Sequence, residues 1–499
     1  MKRAVVVGAG VGGLTAAMRL AHEGFEVELF EKQPGPGGRC GQVTVGDYRF
    51  DLGPTILLMP HVLRDTFAAV GRELADYLKI TRCDPHYRLH FADGRSFTMQ
   101  RDGARMREEL ERIEPGSHVR FAEFLRDGRQ KHDVAFEHFV TRHFDSVLEF
   151  VAPRRVPPLV KSGALTSLQT HVGRYFQSEA LQQAFSFQTM YLGLSPASAP
   201  SVFSLLPYTE AEHGIWFPQG GMFGIAKALE RVCVEEGVDL RYSTPVRRVL
   251  VEKGQAAGVE LADGRVVRAD VVVCNADYAW ASANLLPKEL AAARTARVQR
   301  QRFTSSGLMF YWGLSKRADA LLHHNVFFGR DFAGSFDDIF ERGRVPADPS
   351  FYVNAPARTS AGFAPEGHDA LYVLVPAPAD PSGVDWAAET KRVKAQVLAR
   401  LVKEGIGELD IVAERVITPA DWQSGLNLER GANFGLAQNL FQLGPFRPKV
   451  TDAEVEGLYW CGASIQPGTG VPTVMLSAGF AVEKVLERHG RGAKRDEAA

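Results

Sequence analysis

The first apolar run, Ala4-Val5-Val6-Val7, is unbroken and short, which suits a strand buried on both faces. The period then changes. Leu14, Ala17, Met18 and Ala21 recur at helical spacing and give the next segment one apolar face, and Gly24 supplies its C-terminal stop. Phe25 to Phe30 alternates as a second strand that ends at Glu31. These pieces predict a β-α-β unit of about 30 residues. Tyr87 to Met99 predicts a hairpin turning at Asp93-Gly94, and Val246 to Val273 a hairpin-rich block turning at Lys253-Gly254 and Asp263-Gly264. Between these blocks residues 104–240 read as mainly helical, and residues 300–420 as strands mixed with Pro-rich loops. The chain then returns to a strand at Gly457–Cys461, a Gly/Pro loop, and a closing helix from about Thr473 to Arg488.

The turn between the first strand and its helix carries the first chemistry. Gly8, Gly10 and Gly13 stand in the G-x-G-x-x-G pattern, with Gly12 between them. The first glycine permits the tight turn, the second lets backbone approach a pyrophosphate, and the third lets helix pack on strand. The helix N-terminus offers free N–H groups to phosphates. Glu31, followed by Lys32, falls about 20 residues on, where a carboxylate hydrogen-bonds ribose hydroxyls. This loop alone does not separate FAD from NAD. A second glycine run follows at once, Gly35-Pro36-Gly37-Gly38-Arg39, and then Phe50-Asp51-Leu52-Gly53-Pro54-Thr55. A second close approach of backbone and the Arg39 charge select FAD. At the far end of the chain, Gly462-Ala463 and Gly470-Val471-Pro472 precede the closing helix, whose N-terminus can face a flavin ring and stabilise negative charge on it. Val246, at the start of the hairpin block, completes the expected contact set.

A sheet that starts at residue 4 and finishes near residue 461 implies that a second domain is inserted into the first. The fold class is therefore α/β: a Rossmann-like domain assembled from residues 1–80, 216–285 and 431–499, with residues 81–105 and 286–430 forming an inserted α+β substrate domain and residues 106–215 a helical part. A length of 499 residues is consistent with such interleaving. The net charge of -1 leaves no global field to attract nucleic acid, which is excluded as a partner. The five cysteines show no Cys-x-x-Cys spacing, which argues against a zinc site or disulfide framework and fits a reducing cytosol. Cys461, beside the expected flavin, reads as a packing residue. Met1-Lys2-Arg3 leads straight into the first strand with no targeting segment, and no run reaches the roughly 18 apolar residues of a spanning helix. The stretch from Glu487 to Ala499 reads as a frayed tail.

With these segments in view, the sequence resembles the FAD-dependent bacterial-type carotenoid desaturases, which include phytoene and dehydrosqualene desaturases. The matching stretches are Val5 to Arg39, Phe50 to Thr55, Ala184 to Gln188, Gly214 to Met222 and Gly457 to Ala478. One departure is Gln466, where family members usually carry His; another is the Gln188–Gly193 context, closer to the dehydrosqualene and terminal-desaturase branches. The resemblance implies an amine-oxidase-like fold, FAD as cofactor, and hydride transfer from an allylic C–H to the flavin. It also implies Asp145 as the active-site acid. Related polyene-modifying flavoenzymes (a ketolase, an isomerase or saturase, a squalene oxidoreductase) stay open, as does a prenyl-binding chaperone of the same fold. A long polyene substrate would cost on the order of 30 kcal/mol to move through water at ~0.8 kcal/mol per carbon. It must come directly from a bilayer, so the protein is expected to be peripheral on the cytoplasmic face of a membrane. Phe121 to Leu159 is the expected docking segment, with Arg142, Arg154, Arg155 and Lys161 at the headgroups.

Overall fold

The structure, a computed structural model, describes residues 2–163 and 165–489. Five strands form one parallel sheet: β1 (Arg3–Val7), β2 (Glu26–Phe30), β3 (Asp239–Arg241), β4 (Val271–Cys274) and β5 (Leu458–Trp460), in the order β5-β4-β1-β2-β3. β4 and β5 are buried along their whole length, as expected where helices cover both faces of a parallel sheet. The helix Val11–His22 packs against both Phe223–Glu235 and the closing helix Val471–His489, so the two ends of the chain meet over one sheet. The expected tail lies, from residue 490 on, outside the described residues.

A second sheet of seven strands runs in the order Ile411–Ile417, Ser306–Leu314, Asp369–Ala377, Phe351–Asn354, His324–Phe327, Tyr87–His90 and Ser96–Met99. Its pairs are antiparallel except where His324–Phe327 meets Tyr87–His90. The buried strand Ser306–Leu314 turns Leu308, Phe310 and Trp312 toward Val393, Val397 and Leu401 of the helix Trp386–Lys403. Its opposite face, with Met309 and Tyr311, packs toward the parallel-sheet domain. There the Tyr311 hydroxyl donates to the Leu52 carbonyl (2.6 Å) and Tyr372 to that of Gly53 (2.7 Å), fixing the segment between the domains.

Two expectations change. The Trp386–Lys403 helix sits inside the stretch read as strands and loops. In the expected docking segment, Phe121 and Phe124 are core residues packed on Phe185, because the helix Ser117–Ala135 turns them inward. The exposed apolar residues lie further on, at Val147, Leu148, Val156 and Val160, and continue to Leu165. Arg155 is buried too: it stacks over Phe144 and donates to the Glu149 carbonyl.

Asp51 joins two of the quoted motifs. Its carboxylate accepts the Phe223 N–H (3.0 Å) at the start of the helix Phe223–Glu235 and lies against Gly221, where any Cβ would come within 2.6 Å of Asp51 Oδ1. Burial pushes its carboxyl from 3.8 up to about 7. The native state therefore keeps a proton that the unfolded chain releases, and this contribution to stability is lost as pH rises from 3.8 through about 7. Asp51→Ala should cost about 1–3 kcal/mol in urea unfolding, and Asp51→Asn should flatten part of the pH slope of stability over that range.

Candidate active site

A cavity of about 1180 Å³ runs from the β1 loop into the helical part of the chain. Single-ligand pockets span ~300–1,000 Å³, so this one has room for two ligands end to end. One end is built of backbone. The helix Val11–His22 starts at Gly10 with no side-chain cap and no acidic residue in its first turn, so its leading N–H groups stay open to an anion. Gly13 does not line the cavity. It lies under the loop, where a Cβ would collide with the Gly8 carbonyl. Glu31 braces the loop: one carboxylate oxygen accepts the Ala9 N–H (2.7 Å) and the other the Gln33 N–H (2.8 Å). Each oxygen keeps a further lone pair for a ribose hydroxyl.

The second glycine run lies directly on the first. Gly37 donates to the Ala9 carbonyl (2.8 Å), and Gly10 and Gly37 form an isolated parallel bridge. Gly53 sits so close to the Arg39 carbonyl that a Cβ would approach it to 2.5 Å. The Arg39 guanidinium donates to the Asn433 carbonyl (2.9 Å). Burial lowers its pKa and raises that of the nearby Asp277, while the attraction between the two opposes both shifts.

The C-terminal segment closes the same end. Gly462, Ala463, Gln466 and Gly470 to Pro472 line the cavity, as do Lys32, Gly38, Arg39, Pro54, Thr55 and Val246. Two residues that the sequence did not single out hold this segment. Asn275, at the end of β4, donates to the Cys461 carbonyl (3.1 Å) and lies against Gly10 and Gly12. Arg447 is fully buried and donates to the carbonyls of Ile465, Ala437, Gln442, Leu436 and Ala463. Burial lowers its pKa to about 9. Gln466, at the departure from His, exchanges two hydrogen bonds with the Phe144 backbone (2.7 and 3.1 Å). Cys461 is buried with its thiol pKa raised by burial, and it does not line the cavity.

Asp145 is a correction. Its neighbour Phe144 lines the cavity, but the Asp145 side chain is about half exposed and points to Lys484 (3.2 Å) and His143 (3.6 Å). The long-range pairing with Lys484 of the closing helix had no local signal in sequence.

The other end of the cavity is apolar, lined by Phe136, Phe139, Leu206, Phe336 and Phe340 among others. It reaches Val160, Leu165, Phe441 and Phe446, all exposed, with Leu165 at 87% and Phe441 at 78%. Open helix N–H groups, a braced carboxylate and backbone without side chains fit a dinucleotide at one end, and the apolar end fits a hydrocarbon.

Such a site defines a flavin-dependent oxidoreductase. The chain belongs to the family described as flavin containing amine oxidoreductase, whose model matches residues 11–486, and FAD is its cofactor. It is 50% identical over 495 residues to the zeta-carotene-forming phytoene desaturase of Myxococcus xanthus, covering 98% of this chain and 95% of that protein. It is 36% identical over 501 residues to the all-trans-zeta-carotene desaturase of the same organism, covering 99% and 94%. A crystal structure of an oxidoreductase from Methanosarcina mazei shares the fold at a TM-score of 0.66 and 20% identity, covering 97% of this chain and 100% of that one.

Glu31→Gln keeps the side-chain shape and removes its charge. It should weaken FAD binding by about one to two orders of magnitude, measured by flavin fluorescence on titrating apoprotein. Unchanged affinity would remove Glu31 from the cofactor site.

Proposed function

We propose that this protein is an FAD-dependent carotenoid desaturase, acting on CH–CH bonds to introduce conjugated double bonds into a long isoprenoid hydrocarbon. The observation that carries the reading is a single cavity, backbone-lined at one end and hydrocarbon-lined at the other. The carotene desaturase activity of its full-length relatives supports it. FAD supplies the two-electron acceptor. Gly8, Gly10, Gly12, Glu31, Lys32, Gly38 and Arg39 hold its nucleotide and pyrophosphate, with Gly13 setting the loop geometry. Gly53, Pro54, Thr55, Val246, Gly462, Ala463, Gly470, Val471 and Pro472 complete the enclosure. The apolar walls exclude water and hold the chain of the substrate in line.

The substrate enters from a membrane surface. Leu148, Val160, Leu165, Phe441 and Phe446 give an exposed apolar rim at and beside the cavity mouth, with Arg142, Arg154 and Lys161 near enough in sequence to meet headgroups. Among the described residues, no helix is long and apolar enough to cross a membrane.

Anaerobic incubation of the FAD-loaded protein with liposomes carrying phytoene, dehydrosqualene, lycopene or a hydroxylated carotene should shift product absorbance to longer wavelength with at least one of them. No shift with any would remove desaturation. A ketolase or saturase would instead give an oxygenated or shortened chromophore. Replacing Leu148, Leu165 and Phe441 by Ser should abolish co-sedimentation with liposomes while FAD binding persists; unchanged sedimentation would sink the membrane reading.

A further inference from the structure

Tyr191 and Tyr352 are two of the tyrosines that line the cavity. What stands behind each decides what it can do. The Tyr352 hydroxyl meets Thr55 Oγ1 (2.9 Å) and His324 Nδ1 (2.6 Å). Burial and the adjacent His323 drive the basicity of His324 far below its usual range, so that chain ends in a poor proton acceptor. Behind Tyr191 stands Glu210, on the helix Leu205–His213, with a side chain wholly removed from solvent.

Glu210 is held on one side only. Its Oε2 accepts from the Tyr87 hydroxyl (3.0 Å) and from Gln188 Nε2 (3.1 Å). Its Oε1 has no aligned partner, although the Tyr191 hydroxyl lies close enough to stabilise the carboxylate form. Among the described residues no cation pairs with Glu210, and the titratable groups facing it are Tyr87 and Tyr191, with Tyr352 beyond Tyr191. A role confined to pinning Tyr87 and Gln188 would be served by Gln, which carries no charge to bury. A carboxyl adds a capacity that Gln lacks, since it can take and return a proton.

Resting on the desaturase reading, we propose that Glu210 accepts, through the hydroxyl of Tyr191, the proton that the substrate loses as each double bond forms. One allylic C–H bond breaks with both electrons going to FAD as hydride. The C–H bond of the neighbouring carbon then breaks heterolytically, and its electron pair becomes the new π bond. That proton goes to the Tyr191 oxygen as the proton of Tyr191 passes to Glu210 Oε1, leaving a neutral carboxylic acid. Tyr191 is the catalytic residue in this step, and Glu210 the residue that positions and drains its proton. Burial has already raised the Glu210 carboxyl to about 7, so it exchanges a proton near neutral pH.

The test follows FAD reduction anaerobically, in liposomes, with whichever carotene reduces the wild-type holoenzyme, from mildly acidic to mildly alkaline pH. The wild-type rate should rise with pH through about 7. E210Q should be slower by about 100-fold or more and independent of pH, E210D should regain part of the rate and a shifted inflection, and Y191F should also lose the inflection. In the substrate-free holoenzyme, the infrared difference between wild type and E210Q should contain the carbonyl band of a buried carboxylic acid that fades as pH rises through about 7; the band of Asp51, raised to about 7 as well, is common to both proteins and cancels. A wild-type rate and inflection in E210Q or Y191F, or an infrared difference without that band, would overturn the proposal. Should E210Q not fold, Y191F decides, since it removes one hydroxyl and leaves the packing. A wild-type enzyme that no carotene reduces would count against the desaturase reading itself, a result separate from an unaffected variant.

Discussion

Two stretches of backbone, the Gly8–Gly13 loop and the Gly37–Gly38 turn, lie directly on each other at the cofactor end of the cavity, and the rest of the site depends on that closeness. The Gly8–Gly13 loop meets the Gly37–Arg39 turn where glycine is the residue that fits, and the Asn275 side chain, wedged against Gly10, Gly12 and Gly462, ties the end of β5 to them. Removing side chains there leaves main-chain N–H groups as the surface presented to a ligand, and a helix terminus without a cap leaves them unspent. The chemistry of recognition is thus carried by backbone, and side chains such as Glu31 and Asn275 serve mainly to hold that backbone still.

The same economy governs the buried charges. Among the described residues no carboxylate pairs with Arg447; its guanidinium is neutralised in part by five carbonyl dipoles drawn from residues 436–442 and 463–465. A fork of five donors in fixed geometry suits that task, which a lysine could not perform. A positive group held beneath the C-terminal segment also biases the electrostatics of the cavity end toward anions. At the opposite end the walls are hydrocarbon, so the cavity is graded from polar to apolar along its length.

Local signals in the sequence reached far into the fold. The β-α-β unit, both hairpin blocks, the final strand and the closing helix were legible because each is set by a short run of apolar spacing and turn residues. The glycine and C-terminal segments could be assigned to one site because their residue types restrict what backbone can do there, and the structure brings them to one cavity. What sequence could not supply was direction. Phe121 and Leu148 are both apolar residues in a mixed segment, yet one faces the core and the other water, and only tertiary packing separates them. Asp145 lies beside a cavity residue but turns to Lys484. Asn275 and Arg447 had no motif around them, since an Asn after a strand or an Arg before a proline is common in any chain. The helix Trp386–Lys403 did carry a signal, Val393, Val397 and Leu401 at spacings of one turn, which the surrounding Pro-rich composition obscured.

The packing of the Val11–His22 helix against the Val471–His489 helix has a consequence for biosynthesis. Gly8 leaves the ribosome first among the cradle residues and Pro472 last, with the second sheet, the helical part and every strand of the first sheet except β1 translated between them. β1 and β2 therefore wait, with an apolar edge uncovered, until β4 and β5 arrive beside them. The full set of cradle residues is in place only once the closing helix has formed, and a chain lacking that helix leaves uncovered the apolar face it packs on the Val11–His22 helix, which favours aggregation.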